Sequence, residues 1–521
     1  MDPTVLLFLG LYFLAMIAVG VIAMRRGGAS SMEGYYLSGR NVGPLVTAMT
    51  MQSTSMSGYM FLGAGSLGYT QGYYGFWYAA GDIGGGVVNL SVLGRRMRKL
   101  SQIMGALTSI EYLEKRYPSK WIRLFSAILS VVLLGAYVLA QFIAGGKGLE
   151  LVTGLPYEVA LSIAVLVILA YTLMGGYGAV AYTDLVQSFV MLVGIVWILA
   201  ATLQHVGGFT AANEAIGNLD PTMLSVWGKD LAYEGQWGIV IGAVLIFSIG
   251  YMGWPHVVTR HMAMRNPFHA RRAGVYSTLW NLVFVSAPYI LGVLAILVLP
   301  DLDDPEQAIF ALAQNLLPSA IVGIVMAAIM AAIMSTADSI LLQTGSIAAR
   351  DLYERFINPD MEEKQMVRVS QIIVLAVGLV CGFIALFEPP AVFAVVVFTT
   401  SVLGSAFLPA YVAAVWWKKA NTPGALSSII VGSSVAFVWQ YFGLDGVTEI
   451  HPMLAGVVLS SLTMVVVSLA TQATHPVPTH ILQAIDETAE LRPLPNRMKS
   501  QQDFSLSHEA YSLKLSSSGG A

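Results

Sequence analysis

Near the middle of the chain, Met334-Ser335-Thr336-Ala337-Asp338-Ser339 gathers three hydroxyls and a carboxylate in a few residues. On a helix, Ser335, Asp338 and Ser339 share one face at i, i+3 and i+4, with Thr336 about 100° further round. Such a density of hard oxygens suits a small hard cation. Hydroxyls also bridge membrane helices without binding an ion, so spacing alone leaves both readings open. Three acids, Asp82, Asp184 and Asp338, fall within or at the end of apolar stretches. At the centre of a membrane span an acid costs about 2.5–3.5 kcal/mol on insertion scales, and something must offset that cost. A cation site or a proton relay is the reason expected for Asp184 and Asp338. Asp82 lies beside Gly81 and Gly84-Gly85-Gly86, where helix packing competes with cation handling.

Two apolar segments are interrupted. One reads Met51-Gln52-Ser53-Thr54-Ser55-Met56-Ser57-Gly58, the other Ser248-Ile249-Gly250-Tyr251-Met252-Gly253-Trp254-Pro255-His256. Pro255 removes a backbone donor and crowds the preceding turn, while the glycines lower the cost of unwinding. Irregular backbone at membrane depth survives only where protein or a cavity surrounds it, so interrupted spans at matching places in two halves point to a transport site. Small residues also serve plain helix packing.

The elements holding these residues follow from composition. The 521 residues are 56% hydrophobic and 11% charged, with mean hydropathy +0.69. Soluble proteins carry about a quarter charged residues, so a soluble enzyme is excluded. Thirteen apolar segments are expected as spans, at about 4–24, 45–68, 73–94, 124–146, 158–175, 184–204, 236–257, 274–299, 318–345, 367–387, 390–416, 423–442 and 452–472. Lipid leaves backbone groups unsatisfied and the alternation of a barrel is missing, so the expected fold is an all-α polytopic membrane protein. With the N-terminus outside and the C-terminus inside, every Lys and Arg except Lys147 and Lys229 falls on the inner side. The first span begins without a basic region and reads as a retained helix rather than a cleaved signal. Residues 1–472 form the transporter domain, with core repeats at about 45–204 and 236–416. Residues 473–521 form a polar cytoplasmic tail expected to be disordered. The formal charge of −3, with bases in short blocks, gives no footprint for nucleic acid, and the single cysteine, Cys381, excludes a disulfide framework.

Several motifs in register resemble the sodium:solute symporter family over about residues 4–472. They are Tyr35-Tyr36-Leu37-Ser38-Gly39-Arg40-Asn41-Val42-Gly43-Pro44 followed by Met56-Ser57-Gly58, and Met174-Gly175-Gly176-Tyr177-Gly178-Ala179-Val180 with Thr183-Asp184 and Gln187. Gly253-Trp254-Pro255-His256 with Arg260, and Met334-Ser335-Thr336 leading to Arg350-Asp351-Leu352-Tyr353, complete the set. The chain is most similar to members that carry proline or pantothenate. The resemblance implies an inverted five-plus-five helix core and a sodium site at Ser53, Met56, Ala332, Ser335 and Thr336. It also implies a second sodium site at Asp184 with Ser335, Asp338 and Ser339, and a solute pocket near Ser57, Phe247, Tyr251, Trp254, Pro255 and His256. There are departures. Proline carriers place an Asp where this chain has Ser55, and a Trp where it has Phe247, while Asp338 stands where hydroxyl residues are more usual.

The function expected is therefore a multi-pass carrier in the cell (inner) membrane that brings a small organic solute inward with sodium. The solute is an amino acid such as proline, pantothenate or a monocarboxylate. Sodium, solute and the lipid bilayer are its expected partners, with no nucleic acid and no obligate protein partner. A proton-coupled carrier is the alternative, and a transporter-like sensor a weaker one. An enzyme is not expected, because His256 and His261 lack the further ligands or nucleophile that a catalytic centre needs.

Overall fold

A computed structural model describes residues 2–26, 31–387, 392–490 and 505. Among them the chain is helical, with one isolated bridge between Val42 and Met264 and no named strand. The helices used below are α1 (Pro3–Arg26), α2 (Pro44–Ser55), α3 (Phe76–Asn89), α4 (Ser109–Arg116), α5 (Lys120–Thr153), α6 (Tyr157–His205), α7 (Trp237–Phe247) and α8 (Pro255–Ala263). They continue as α9 (His269–Val298), α10 (Ser319–Glu354), α11 (Glu363–Ala385), α12 (Val392–Trp416), α13 (Thr422–Tyr441), α14 (Pro452–Ala470) and α15 (Thr479–Ala489).

Nine helices among the described residues are long and apolar enough to cross a membrane. The other four expected spans are those whose regular helix is cut short. Around 45–68 the helix stops at Met56 (φ −88°, ψ 72°), and a π turn follows at Met60–Ala64. Around 73–94, the 14 residues of α3 are bounded by a 3-10 turn and a π turn. Around 158–175, α6 bends at Gly176, whose φ of +58° only glycine adopts readily. A Cβ there would also lie 2.6 Å from the Tyr35 carbonyl oxygen. Around 236–257, α7 ends at Phe247, and α8 restarts with Pro255 at its first position, where the missing N–H costs nothing.

α10 is the buried axis of the bundle, with every side chain from Val325 to Gly345 buried. It packs against α1, α2, α5, α6 and α11. A helix apolar on all sides needs such surroundings, and its few hydroxyls and acids must find partners inside. At one end, close to the basic segment 95–123, an ionic network ties α4 to α5 and α10: Arg123 bonds Glu114 at 2.7 Å and Asp351 at 2.8 Å, and Arg350 bonds Glu111 at 3.2 Å. Within the segment expected to be a disordered tail, α15 buries Ile481, Ala484 and Ile485 and packs on Arg95–Ile103. That differs from the expectation over residues 479–489. The apolar face at 481, 484, 485 and 488 was too short to stand out among the polar residues. Residues 491–504 and 506–521 lie outside the described residues.

Candidate functional site

The two interruptions and the hydroxyl-rich stretch of α10 converge. Ser335 Oγ donates to the Ser53 carbonyl at 2.9 Å, and Thr336 Oγ1 donates to the Thr54 carbonyl at 2.9 Å. Ser335 also reaches the Ala332 carbonyl at 3.2 Å. Where α2 ends, its last carbonyls lose their helical donors, and α10 supplies hydroxyls in their place. Ser53, Ala332, Ser335 and Thr336 are thus brought together. Met56 caps the break, its N–H bonded to Gln52, and the hydroxyl contacts reach Ser53 and Thr54 rather than Met56.

One turn along α10 lies a second polar cluster. Asp184 Oδ2 accepts from Thr50 at 2.5 Å, Ser339 at 3.2 Å and Thr54 at 3.3 Å. Arg260, from α8, donates to the hydroxyls of both Thr54 and Ser339 at 2.6 Å and stands 3.8 Å from Asp184. The cluster thus contains its own cation, and two of its hydroxyl oxygens are engaged by a guanidinium. Asp184 Oδ1 and both carboxylate oxygens of Asp338 are buried without a hydrogen-bond partner. Gln187 Oε1 is unpartnered too, while its amide donates to Tyr12 of α1 at 3.1 Å. A narrow cleft runs from Tyr36 and Thr108 to Arg260 and Ser339.

The expected solute residues form an aromatic wall around the second interruption. Tyr251 meets Trp254 edge-on at 4.5 Å, Trp254 stacks on His256 at 5.7 Å, and Phe247 lies 5.0 Å from Tyr59. The Trp254 indole donates to the Thr400 carbonyl of α12 at 3.1 Å, which fixes its plane. Ser57 accepts from Tyr137 at 3.3 Å. Pro255 opens α8 and takes no polar part. Both ring nitrogens of His256, Gln52 Oε1 and Gln141 Nε2 are buried without partners. Buried polar groups are ordinarily hydrogen-bonded, and these free donors and acceptors are gathered between the two interruptions.

Sequence reasoning missed Thr50, Thr54, Gln141 and the direct part of Arg260. The i, i+4 spacing of Thr50 and Thr54, and an arginine four residues past His256, were readable signals. A lone Gln141 in an apolar span offered none.

Residues 35–432 match the family described as "Sodium:solute symporter family". The osmoregulated proline transporter OpuE of Bacillus subtilis is 28% identical over 91% of this chain and 96% of its own length. The sodium/proline symporter of Escherichia coli is 30% identical, covering 89% of this chain and 92% of its own. Among solved structures, a Na+-coupled sialic acid symporter in a substrate-bound outward-open state aligns with a TM-score of 0.75 at 19% identity, over 90% of this chain and 97% of the other. That likeness shows a shared fold.

Proposed function

The chain belongs to the sodium:solute symporter family, and on that premise we propose that it is a secondary active transporter in the cell membrane, coupling inward sodium movement to uptake of a small organic solute. The observation that carries this reading is the junction of Ser335 and Thr336 with the carbonyls of Ser53 and Thr54. There the two hydroxyls and the carbonyls offer hard oxygens to a small cation, and the hydroxyl hydrogens can rotate away when it arrives. An ion so held would tie α10 to the end of α2, beside the aromatic wall. Each ligand then favours the arrangement that the other binds, and each tightens the other by the same factor. With the N-terminus outside, a membrane potential would add about 2.3 kcal/mol per charge per 100 mV to inward sodium movement.

The proline transporters among the relatives support a small amino acid as solute, and a wall of Phe247, Tyr251 and Trp254 suits a modest apolar body with polar ends. Pantothenate and a short monocarboxylate fit the same wall. Replacing Ser335 or Thr336 by Ala removes one hard oxygen without disturbing the helix. Uptake measured against sodium concentration should then show half-saturation shifted upward about tenfold or more, with maximal uptake less affected. An unchanged half-saturation in both variants would refute the assignment. Proton coupling has one observation in its favour, the unpartnered carboxylate oxygens of Asp184 and Asp338. It requires uptake that persists without sodium and collapses with an uncoupler.

A further inference from the structure

Asp82 is a buried acid that the sodium junction does not use. It sits on α3, fully buried. Its Oδ1 accepts the hydroxyl of Tyr251, in the second interruption. Its Oδ2 is buried with no partner, and among the described residues Asp82 takes part in no ion pair. A buried carboxylate with one donor and no counter-charge is costly, and a cation placed beside it would offset that cost.

The glycines around it show where it points. A Cβ at Gly81 would lie 2.3 Å from the Val244 carbonyl oxygen, and one at Gly85 would lie 2.2 Å from that of Phe247. At Gly86 the clash would be with the Gln52 side-chain amide, at 2.3 Å. The glycines therefore let α3 press against the end of α7 and against α2 at once. Asp82 shares a helix face with Gly85 and Gly86 at i, i+3 and i+4, so its carboxylate is delivered between the two interrupted helices.

Around that point stand Tyr251 and Trp254, whose ring faces attract cations, and Gln52, whose amide oxygen is an unpartnered acceptor. At Gly58, Gln141 holds the chain through its amide oxygen at 2.9 Å and leaves its amide nitrogen unpartnered as a donor. Free acceptors at one end and a free donor at the other match a solute that carries a positive and a negative group.

We propose that Asp82 is the counter-charge for a protonated amine on the transported solute, with Tyr251 positioning the carboxylate, so that the solute class is the small amino acids rather than nitrogen-free carboxylates. The inference rests on the transporter reading above. It fixes which of the solutes open to that reading is carried.

The test is a binding series on the purified full chain in lipid nanodiscs with saturating sodium. L-amino acids are each compared with the carboxylate lacking the amino nitrogen, for example L-proline with cyclopentanecarboxylate, and pantothenate is included. The parent should be stabilised against heat by at least one amino acid and by neither its nitrogen-free counterpart nor pantothenate. Asp82→Asn should lose tenfold or more in affinity for that amino acid while keeping the parent's sodium-induced rise in melting temperature, which also reports that it is folded. The proposal is overturned if the nitrogen-free compounds or pantothenate bind the parent as well as the amines do, if no amine binds, or if folded Asp82→Asn keeps its amine affinity. If Asp82→Asn does not fold, the comparison on the parent alone still decides. A parent that ignores sodium yet prefers amines refutes the symport reading and supports this one.

Discussion

At the scale of single residues, the two acids of the α10 cluster differ in their surroundings. Asp184 has three hydroxyl donors and Arg260 3.8 Å away, whereas neither oxygen of Asp338 is bonded. Asp184→Asn would leave Arg260 with a weaker counter-charge inside the bundle, and breaking a buried pair from one side costs about 3–5 kcal/mol. Asp338→Asn instead removes an unbonded buried charge and keeps the volume. In sodium-free buffer, Asp184→Asn should melt below the parent and Asp338→Asn at or above it. Both should lose part of the stabilisation that sodium gives the parent. Melting curves of the three proteins with and without sodium decide this. A lowered baseline for Asp338→Asn with an unchanged sodium response would make Asp338 an anchor between helices. The oxygens of Ser335, Thr336, Asp338 and Ser339 were legible from their spacing. The guanidinium among them was signalled only by its place four residues past His256; its partners Asp184, Ser339 and Thr54 lie 76 residues or more away in sequence, and only the fold brings it to them.

At the scale of elements, both interruptions were readable because their cause is local: Pro255 and the surrounding glycines at one, and a run of small polar residues at the other. The bend at Gly176 was not legible in the sequence, where its glycines stood only as part of a family motif. The docking of α15 was not legible either, since an 11-residue amphipathic helix is marginal until a partner covers its apolar face. That partner is the segment Arg95–Ile103, where Lys99 also donates to the Glu490 carbonyl at 2.6 Å. Removing residues 491–521 should leave the melting temperature nearly unchanged. Removing 479–521 should lower it by several degrees, because Ile481 and Ile485 each contribute about 1.5–3 kcal/mol when buried. Equal melting of the two truncations would show that α15 adds nothing to the fold.

At the scale of the whole molecule, the ionic network at the basic end joins α4, α5 and α10 across more than two hundred residues of sequence. Glu111 is its most enclosed carboxylate outside the spans. Burial pushes its pKa up, but Lys115, Arg350 and Arg123 together outweigh burial and hold the group well below the ordinary 4.5. A carboxyl depressed in the folded state stabilises fully above its unfolded value and loses that contribution as pH falls through its folded value. The parent should therefore lose melting temperature on acidification below about pH 4.5. Glu111→Gln should start lower at pH 7 and fall less over the same range. Equal acid limbs for the two proteins would remove Glu111 from the balance. By itself the sequence determined the helical membrane class, the places where helices fail and the oxygen-rich face of α10, because apolar periodicity, glycine, proline and hydroxyl spacing act over a few residues. Only the tertiary structure decided that α3 delivers Asp82 against Tyr251, that Arg260 enters the Asp184 cluster and that Gln141 holds the Gly58 N–H while its amide nitrogen stays unpartnered. Those partners are fixed by helices distant in sequence, whose relative placement depends on how all the apolar faces pack at once.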